Sequence, residues 1–213
     1  MFDRIAPVYD VMNRLMTAGL DGRWRRLAAS LVVRPGDHVL DAACGTGDLA
    51  VADVRAGAGR VTGLDFSERM LARARVKAPA VEWVQGDMLA LPFADATFDA
   101  ATVGFGVRNV ADLPLALREL RRVLPPGGRL AILEITQARG LAKPFFGLWF
   151  NRIVPLVGKV LPGGGAYTYL PASVQRFPTA EKLADMLREA GFERVEFRLL
   201  AGSIVAVHTG VAA

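Results

Sequence analysis

The sequence predicts an α/β protein in which helices cover both faces of a mostly parallel sheet. Three observations lead to this prediction. Apolar runs of strand length alternate with helical patterns, a glycine turn joins the first strand to a helix, and two strand-like runs close the chain. Parallel strands need crossover helices, whereas a two-residue connection makes a hairpin, so one final strand should run antiparallel.

The chain should begin with helices, because residues 1–33 have a helical pattern in two pieces broken near Gly19. The second piece should face the core through apolar residues near helical spacing, namely Trp24, Leu27, Leu31 and Val32. The predicted strands then occupy residues 38–42, 60–65, 81–86, 98–104 and 129–135. Helices should separate them at residues 47–56, 67–78 and 112–124.

The C-terminal part should hold one more helix and the hairpin. Thr179 and Gly191 are suitable N-cap and C-cap residues for a helix over 179–191. The hairpin strands should be residues 193–200 and 203–208. Before them, residues 141–178 are rich in Phe, Trp, Leu, Pro and Gly and should form an apolar lid over the ligand crevice.

The composition favours one globular domain spanning residues 1–213, with 52% apolar and 22% charged residues. Cys44 is the single cysteine, which excludes an internal disulfide and fits a reducing compartment. The opening MFDRIAPVYD carries two acids and a proline instead of a signal peptide, and no apolar run reaches spanning length. We therefore expect a cytoplasmic protein.

The net charge of +5 is compatible with a nucleic acid or an anionic membrane as partner. The arginines are nevertheless spread along the chain, with no block of five or six like charges. We therefore expect no nucleic-acid partner.

The glycine turn lies in HVLDAACGTGDLA, where Gly45, Gly47 and Ala50 fit the dinucleotide fingerprint G-x-G-x-x-G/A. Two acids, Asp41 and Asp48, flank this turn and would repel a pyrophosphate. S-adenosylmethionine has no phosphate and carries a sulfonium and an ammonium, so a loop with acids suits it. Asp48 has a second interpretation as a partner of the helix dipole.

Two more carboxylates follow successive predicted strands. Asp65 can accept both ribose hydroxyls, and Phe66 beside it can pack on the adenine. Asp87 can accept from the adenine amino group, with the Met88 backbone next to it. Because the carboxyl ends of parallel strands meet at one edge, these groups should lie together. The cofactor is therefore expected to be S-adenosylmethionine, with S-adenosylhomocysteine as product.

The chain resembles the class I methyltransferases, and closely the family that C-methylates demethylmenaquinone and related ubiquinone precursors. The similarity covers nearly the whole chain. It is carried by MFDRIAPVYDVMNRLMTAGLDGRWRR, VLDAACGTGDLA, GLDFSERML, GDMLALPF, FGVRNVAD, RVLPPGGRLAILE, YTYLPASVQRFP and GSIVAVHTG. It implies a Rossmann-like sheet of seven strands with the last antiparallel, and cofactor contacts from Thr46, Asp65, Asp87 and Met88.

The resemblance also implies the reaction, which is C-methylation of a prenylated quinol ring. Conversion of demethylmenaquinol to menaquinol is the main expectation. A benzoquinol of ubiquinone biosynthesis is an alternative, and so is a methyltransferase that acts on another small lipid or on nucleic acid. Nucleic-acid enzymes of this class usually carry D/N/S-P-P-Y/F or a cysteine after the fourth strand, and GFGVRN has neither.

The candidate catalytic residues are Arg108 and Asn109 in GFGVRN, directly after the fourth strand. Arg108 can stabilise a quinol oxyanion, Asn109 can orient a quinol oxygen or a water, and Tyr9 can close the site. A surface arginine, a turn asparagine and a packed tyrosine are the plain alternatives. We expect no metal, and structural or surface roles for His38 and His208.

Residues 141–170 form a strongly apolar segment that also carries the basic residues Lys143, Arg152 and Lys159. They fit a polyprenyl tail, a peripheral membrane contact with anionic headgroups, or a lid whose apolar face is core. A homodimer contact is a further alternative. Two other functions stay open: a nicotinamide oxidoreductase, which Asp41 opposes, and a non-enzymatic partner subunit of a quinone-synthesis complex.

Overall fold

A computed structural model describes Arg14, Thr17 and residues 19–137 and 173–213. The helices in these ranges are α1 (Asp21–Val32), α2 (Asp48–Arg55), α3 (Glu68–Lys77), α4 (Leu113–Arg122) and α5 (Ala180–Glu189). The strands are β1 (His38–Ala42), β2 (Arg60–Asp65), β3 (Glu82–Gln85), β4 (Ala100–Gly104), β5 (Arg129–Ile135), β6 (Phe192–Leu200) and β7 (Val205–Ala212).

The seven strands form one sheet in the order β3-β2-β1-β4-β5-β7-β6. Neighbours from β3 to β5 pair in parallel, whereas β7 is antiparallel to both β5 and β6. This confirms the predicted mostly parallel sheet with an antiparallel last strand. The chain direction across the sheet reverses between β1 and β4, and such a switch point opens a crevice outside the carboxyl ends of the strands.

Helices cover both faces, as predicted. On one face α4 and α5 bury Leu117, Leu120, Leu183 and Leu187 against the sheet. On the other face α1 and α2 bury Trp24, Ala28, Val32 and Leu49. Leu27 and Leu31 are half-buried against the same cluster, so the helical spacing predicted the inner side of α1.

The C-terminal strands differ from the prediction in their ends. β7 continues to Ala212, beyond the predicted end at residue 208, because it pairs with β5 on one side and β6 on the other. Pairing with Leu130 of β5 holds Gly210 in the strand, and on the other side Gly210 lies opposite an irregularity of β6 between Glu193 and Glu196. The connection has four residues, with a 3₁₀ turn over Ala201–Ser203 followed by Ile204, and is two residues longer than the predicted AG turn.

Side-chain caps set where several helices begin. The Thr179 hydroxyl accepts from the Lys182 N–H, which confirms the predicted N-cap of α5. Ser67 and Asp112 cap α3 and α4 in the same way. Gly191 has a φ of +93°, and this left-handed conformation ends α5 close to the predicted position.

Both histidine rings make contacts within the fold, away from the carboxyl ends of the parallel strands. The His38 ring lies 4.5 Å from the Phe98 ring centroid and bonds the Thr62 hydroxyl. His208 is buried on β7 and bonds the Ala180 carbonyl through Nε2. Burial lowers the pKa of each imidazole. Among the described helices, none is long and apolar enough to cross a bilayer.

Candidate active site

Two adjoining clefts open at the carboxyl ends of the strands. One has a volume of about 290 Å³ and the other about 50 Å³. They share the lining residues Ala43, Asp65, Phe66, Gly106 and Asn109. These residues follow β1, β2 and β4, so the clefts lie at the crevice that the strand order predicts.

The glycine turn after β1 brings backbone close to the smaller cleft. Ala43, Gly45 and Gly47 all have positive φ, at 54°, 55° and 84°. A Cβ on Gly47 would lie 2.5 Å from Cη2 of Trp83, so the turn needs glycine there for space as well as for its φ. Within the turn, the Cys44 N–H donates to the Leu64 carbonyl and the Gly47 N–H to the Cys44 carbonyl.

Asp65 is held between two elements at the cleft wall. Its Oδ2 accepts from the Gly45 N–H at 2.8 Å, and its Oδ1 accepts from the Ser67 N–H at 2.9 Å. These bonds orient the carboxylate toward both clefts. Phe66, beside it, is 58% exposed and presents an aromatic face to the same space.

Asp87 and Met88 line the larger cleft after β3. The Asp87 Oδ1 accepts from the Leu89 N–H at 2.9 Å, which fixes the turn. The Met88 side chain is buried in the core, so its backbone is the part that faces the cleft wall. The structure therefore brings Asp65, Asp87 and Met88 together.

Thr46 lies differently. Its hydroxyl is buried and accepts from Nζ of Lys77 at 3.2 Å, and Lys77 also pairs with Asp48 at 2.7 Å. Thr46 does not line either of the two clefts. The side chain braces the glycine turn against α3, so its predicted cofactor contact would have to come from the backbone.

Asp41 lies beneath the glycine turn, fully buried. Its Oδ2 accepts from the Ala50 N–H at 2.8 Å, while its Oδ1 has no hydrogen-bond partner among the described residues. Burial raises the pKa of Asp41 to about 8, against the lowering effect of the Arg25 guanidinium.

A second buried acid, Asp53 of α2, faces Asp41. Its Oδ2 accepts from the Thr102 hydroxyl at 2.7 Å, and its Oδ1 has no described partner. Burial and the Asp41 charge raise the pKa of Asp53 well above its ordinary value. Sequence reasoning missed Asp53, although it lies on the buried side of α2 with Leu49, Ala50 and Ala52.

The turn after β4 carries the candidate catalytic residues. Asn109 ends a 3₁₀ turn over Val107–Asn109 and lines both clefts. Phe105, just before the turn, has a φ of 61°, an uncommon conformation for a non-glycine residue. Gly106 is closely packed, since a Cβ there would lie 2.7 Å from the Cβ of Ala43.

Arg108 points from this turn toward β5. Its Nη1 donates to Oε1 of Glu134 at 2.7 Å and to the Phe105 carbonyl at 2.6 Å. The Arg108 N–H donates to the other Glu134 oxygen at 3.2 Å. Glu134 is buried, and Arg108 lines neither cleft. The structure thus places Asn109 in the clefts and Arg108 in an ion pair behind them.

Sequence reasoning missed Phe105, Gly106 and Glu134. GFG directly after a strand signals a tight turn, and an acid inside the apolar run AILEI signals a buried pair. Tyr9 and residues 141–170 lie outside the described residues.

In residues 19–137 and 173–213, no three His, Cys, Asp or Glu side chains are grouped so that they could hold a metal ion. Burial raises the pKa of the Cys44 thiol well above its ordinary value, so the group is protonated at neutral pH.

Relatives of known name match over almost the whole chain. A demethylmenaquinone methyltransferase of Thermus thermophilus is 46% identical, over 99% of this chain and 99% of its own length. A ubiquinone/menaquinone biosynthesis C-methyltransferase UbiE of Paracoccus denitrificans is 43% identical, over 99% of this chain and 88% of its own.

A solved structure shares the fold at lower identity. A possible histamine N-methyltransferase of Thermotoga maritima, described as S-adenosylmethionine-dependent, superimposes with a TM-score of 0.70 at 21% identity, and the match covers 100% of both chains.

The sequence model of the ubiE/COQ5 methyltransferase family matches residues 1–212. With this match and the relatives above 40% identity, the chain belongs to the ubiE/COQ5 methyltransferase family.

Proposed function

We propose that the protein uses S-adenosylmethionine to C-methylate a prenylated quinol, with demethylmenaquinol as substrate and menaquinol as product. One observation carries the proposal for the cofactor. Asp87, Asp65, the glycine turn and Asn109 follow β3, β2, β1 and β4, which are neighbours in the sheet, and so form one continuous row.

The row matches the parts of the cofactor in order. Asp87 and the Met88 backbone would hold the adenine, with the exposed Phe66 ring against its face. Asp65 would accept from the ribose hydroxyls. Gly45 and Thr46 would contact the next part through their backbone, above the buried Asp41. When bound, S-adenosylmethionine supplies an electrophilic methyl group next to the turn after β4.

The chain's task at that turn is to raise the reactivity of a ring carbon. A quinol deprotonated at oxygen pushes electron density into its ring, so groups that favour the oxyanion and orient it accelerate the transfer. The Asn109 amide can donate to that oxygen from the cleft wall. Arg108, fixed by Glu134, adds a cation behind the turn and makes hydrogen bonds only through Nη1 and its backbone N–H within the described residues. Tyr9 would close the site.

The naphthoquinol is the first substrate proposal because the 46% identical relative is named for it. A benzoquinol of ubiquinone biosynthesis is the second, because the Paracoccus relative is named for both quinones. The two substrates differ in the fused ring.

The apolar residues 141–170 are proposed to hold the prenyl tail and to meet the membrane surface, with Lys143, Arg152 and Lys159 toward anionic headgroups. Flotation with vesicles that contain or lack anionic lipid tests this part. Size-exclusion chromatography with light scattering distinguishes it from a homodimer contact made by the same stretch.

The substrate proposal is tested by methyl transfer from labelled S-adenosylmethionine to two reduced, short-tailed acceptors in parallel. If only the demethylated naphthoquinol is labelled, the enzyme acts in menaquinone biosynthesis. If both acceptors are labelled, it acts on the precursors of both quinones. No label on either, from a chain that binds the cofactor, would overturn the quinol proposal. Transfer by the isolated chain would exclude a purely non-enzymatic partner role.

A further inference from the structure

Arg25 of α1 is a buried cation with few partners. The residue is only 6% exposed, and its Nε lies 3.7 Å from Oδ2 of Asp21, too far for a hydrogen bond. Its Nε is a buried donor without a partner among the described residues. Asp21 and the Phe105 ring offset the charge of the guanidinium in part. A guanidinium carries five N–H donors, however, and a buried donor without an acceptor costs free energy. The arrangement therefore has a place for one more acceptor beside Arg25.

The guanidinium lies beside the clefts already described. Its Cζ is 5.2 Å from the ring centroid of Phe105, which lines the smaller cleft. Its Nη1 is 3.2 Å from the position of a Cβ on Gly104, the last residue of β4. Arg25 also lines an open cleft of about 550 Å³ between α1 and α2. The side chain therefore reaches from α1 to the carboxyl end of β4.

The row of strand ends decides which part of the cofactor comes nearest. Asp87 follows β3, Asp65 ends β2 and the glycine turn follows β1, so adenine, ribose and sulfur occupy successive positions. The amino-acid end then extends toward β4, where Phe105 and Arg25 lie. That end carries a carboxylate, the anion that a guanidinium binds with two parallel hydrogen bonds.

We infer that Arg25 binds the carboxylate of the amino-acid end of S-adenosylmethionine. The inference rests on the proposed use of that cofactor and assigns a residue outside the strand-end row to it. The open cleft is lined by more cations than acids, so its charge attracts an anion. The place of Arg25 beside Phe105, next to the strand-end row, points to the cofactor carboxylate as that anion. Arg25 then has two roles: it binds the carboxylate, and it lowers the pKa of the neighbouring Asp41.

The test compares two ligands by calorimetry. S-adenosylhomocysteine carries the amino-acid end, whereas 5′-methylthioadenosine has the same adenosine and sulfur without it. In Arg25→Met the dissociation constant for S-adenosylhomocysteine should rise roughly 10- to 100-fold, as for a lost hydrogen bond to a charged group. The constant for 5′-methylthioadenosine should stay within about twofold, because the ligand has no carboxylate to lose.

Arg26→Met is the matched control. Arg26 is the next residue of α1, is exposed and lines the same open cleft, so the variant removes the same charge from the same surface. Both ligands should bind it as they bind the unchanged protein. Since Arg25→Met leaves Asp21 buried without its cation, a second variant combines it with Asp21→Asn and should show the same ligand selectivity.

The outcomes separate this inference from the proposed function. Suppose that the unchanged protein binds S-adenosylhomocysteine. If Arg25→Met then weakens the binding of both ligands equally, or of neither ligand, the carboxylate assignment alone is overturned. An unchanged protein that binds neither ligand overturns the proposed cofactor and the inference together. Selective loss for S-adenosylhomocysteine in Arg25→Met and in the double variant supports it.

Discussion

The two halves of the crevice are held together by different kinds of contact. On the β1–β2–β3 side, Asp41, Asp65 and Asp87 each accept from a backbone N–H nearby in the chain or in the adjoining turn. On the β4–β5 side, Arg108 depends on a side chain 26 residues away in Glu134. The first half is held by carboxylates that accept backbone N–H groups, and the second by an ion pair between two side chains. We assign cofactor binding to the first half and action on the quinol to the second.

The largest expected effect comes from Asp65→Ala. The change removes the acceptor for the ribose and the bonds that join the glycine turn to α3, so affinity for S-adenosylhomocysteine should fall by more than about 100-fold. Calorimetry measures the change. Asp185→Asn, in an exposed ion pair on α5, is the control that should leave the affinity as it was. Unchanged affinity in Asp65→Ala would remove the ribose assignment.

A change in the β4–β5 half should lower the turnover rate and leave the affinity for the cofactor unchanged. Arg108→Met should lower the rate of methyl transfer by about 100-fold or more, because it leaves the buried Glu134 carboxylate without its cation behind Asn109, and that negative charge opposes the quinol oxyanion. The dissociation constant of S-adenosylhomocysteine should stay near that of the unchanged protein. Rates under saturating cofactor and calorimetry give the two numbers. A near-normal rate would take Arg108 out of the mechanism.

Glu134→Gln removes the negative charge that Arg108 pairs with and keeps a side chain of nearly the same shape. It leaves the Arg108 guanidinium without its buried counter-ion, which should cost about 3 kcal/mol in the free energy of unfolding, measured with denaturant. Combined with Arg108→Met, the loss should be smaller than the sum of the single losses. Additive losses would show that the two side chains do not act as a pair.

Gly106→Ala tests the contact between the halves. The added Cβ would lie 2.7 Å from the Cβ of Ala43 and should push the turn after β4 away from the turn after β1. We expect a loss of about 1–3 kcal/mol in the free energy of unfolding, with weaker cofactor binding. Ala43→Gly in the same chain should restore much of both, since it removes the opposing Cβ and suits the positive φ at position 43. No rescue would contradict the contact.

The smallest effect is a pH shift beneath the glycine turn. The folded chain keeps the Asp41 proton up to a pKa of about 8, while the unfolded chain releases it near its ordinary value of 3.8. Between these values the folded protein binds more protons, so its free energy of unfolding should fall as the pH rises from about 4 to about 8. Burial, Asp65 and Asp48 oppose ionisation of Asp41, and Arg25 and the Ala50 N–H favour it. The Asp41 charge in turn raises the pKa of Asp53.

Asp53→Asn should make the protein lose less stability between about pH 4 and pH 8 than the unchanged chain, as read from melting temperatures across this range. The change removes a buried carboxyl whose own pKa is raised by burial and by the Asp41 charge. Asp48→Asn is the matched control, because that acid is part-exposed and paired with Lys77. Its effect should be smaller. Identical pH curves for Asp53→Asn and the unchanged protein would show that Asp53 does not titrate with a raised pKa in the folded chain.

The sequence predicted the first half of the crevice better than the second for the same physical reason. Asp65 and Asp87 follow apolar strands, and the rule that parallel strands end at one edge brings them together without knowledge of any other contact. Arg108 was chosen as a catalytic candidate in the motif that follows β4, yet it lies behind the clefts, paired with Glu134. That pair was not predicted, because a motif carries no information on contacts made across the fold.

Arg25 and Asp53 show the same limit on helices. Each lies on the buried side of its helix, where periodicity predicts apolar side chains, and only the packed structure shows the partners that hold a charge there. The sequence predicted a mostly parallel sheet with an antiparallel last strand. The length of β7, in contrast, depended on its pairing with β5 and β6. Local signals therefore specified the elements and the turns, and tertiary contacts specified the buried charges.

The most direct test of the division between the two halves is a single-turnover measurement of methyl transfer from saturating S-adenosylmethionine to reduced demethylmenaquinol. It is made for the unchanged protein and for Arg108→Met at cofactor concentrations that calorimetry shows to be saturating. The account predicts rapid labelling of the quinol ring by the unchanged protein and a rate lower by about 100-fold or more in the variant. Equal rates, or no labelling by an unchanged protein that binds the cofactor, would contradict it.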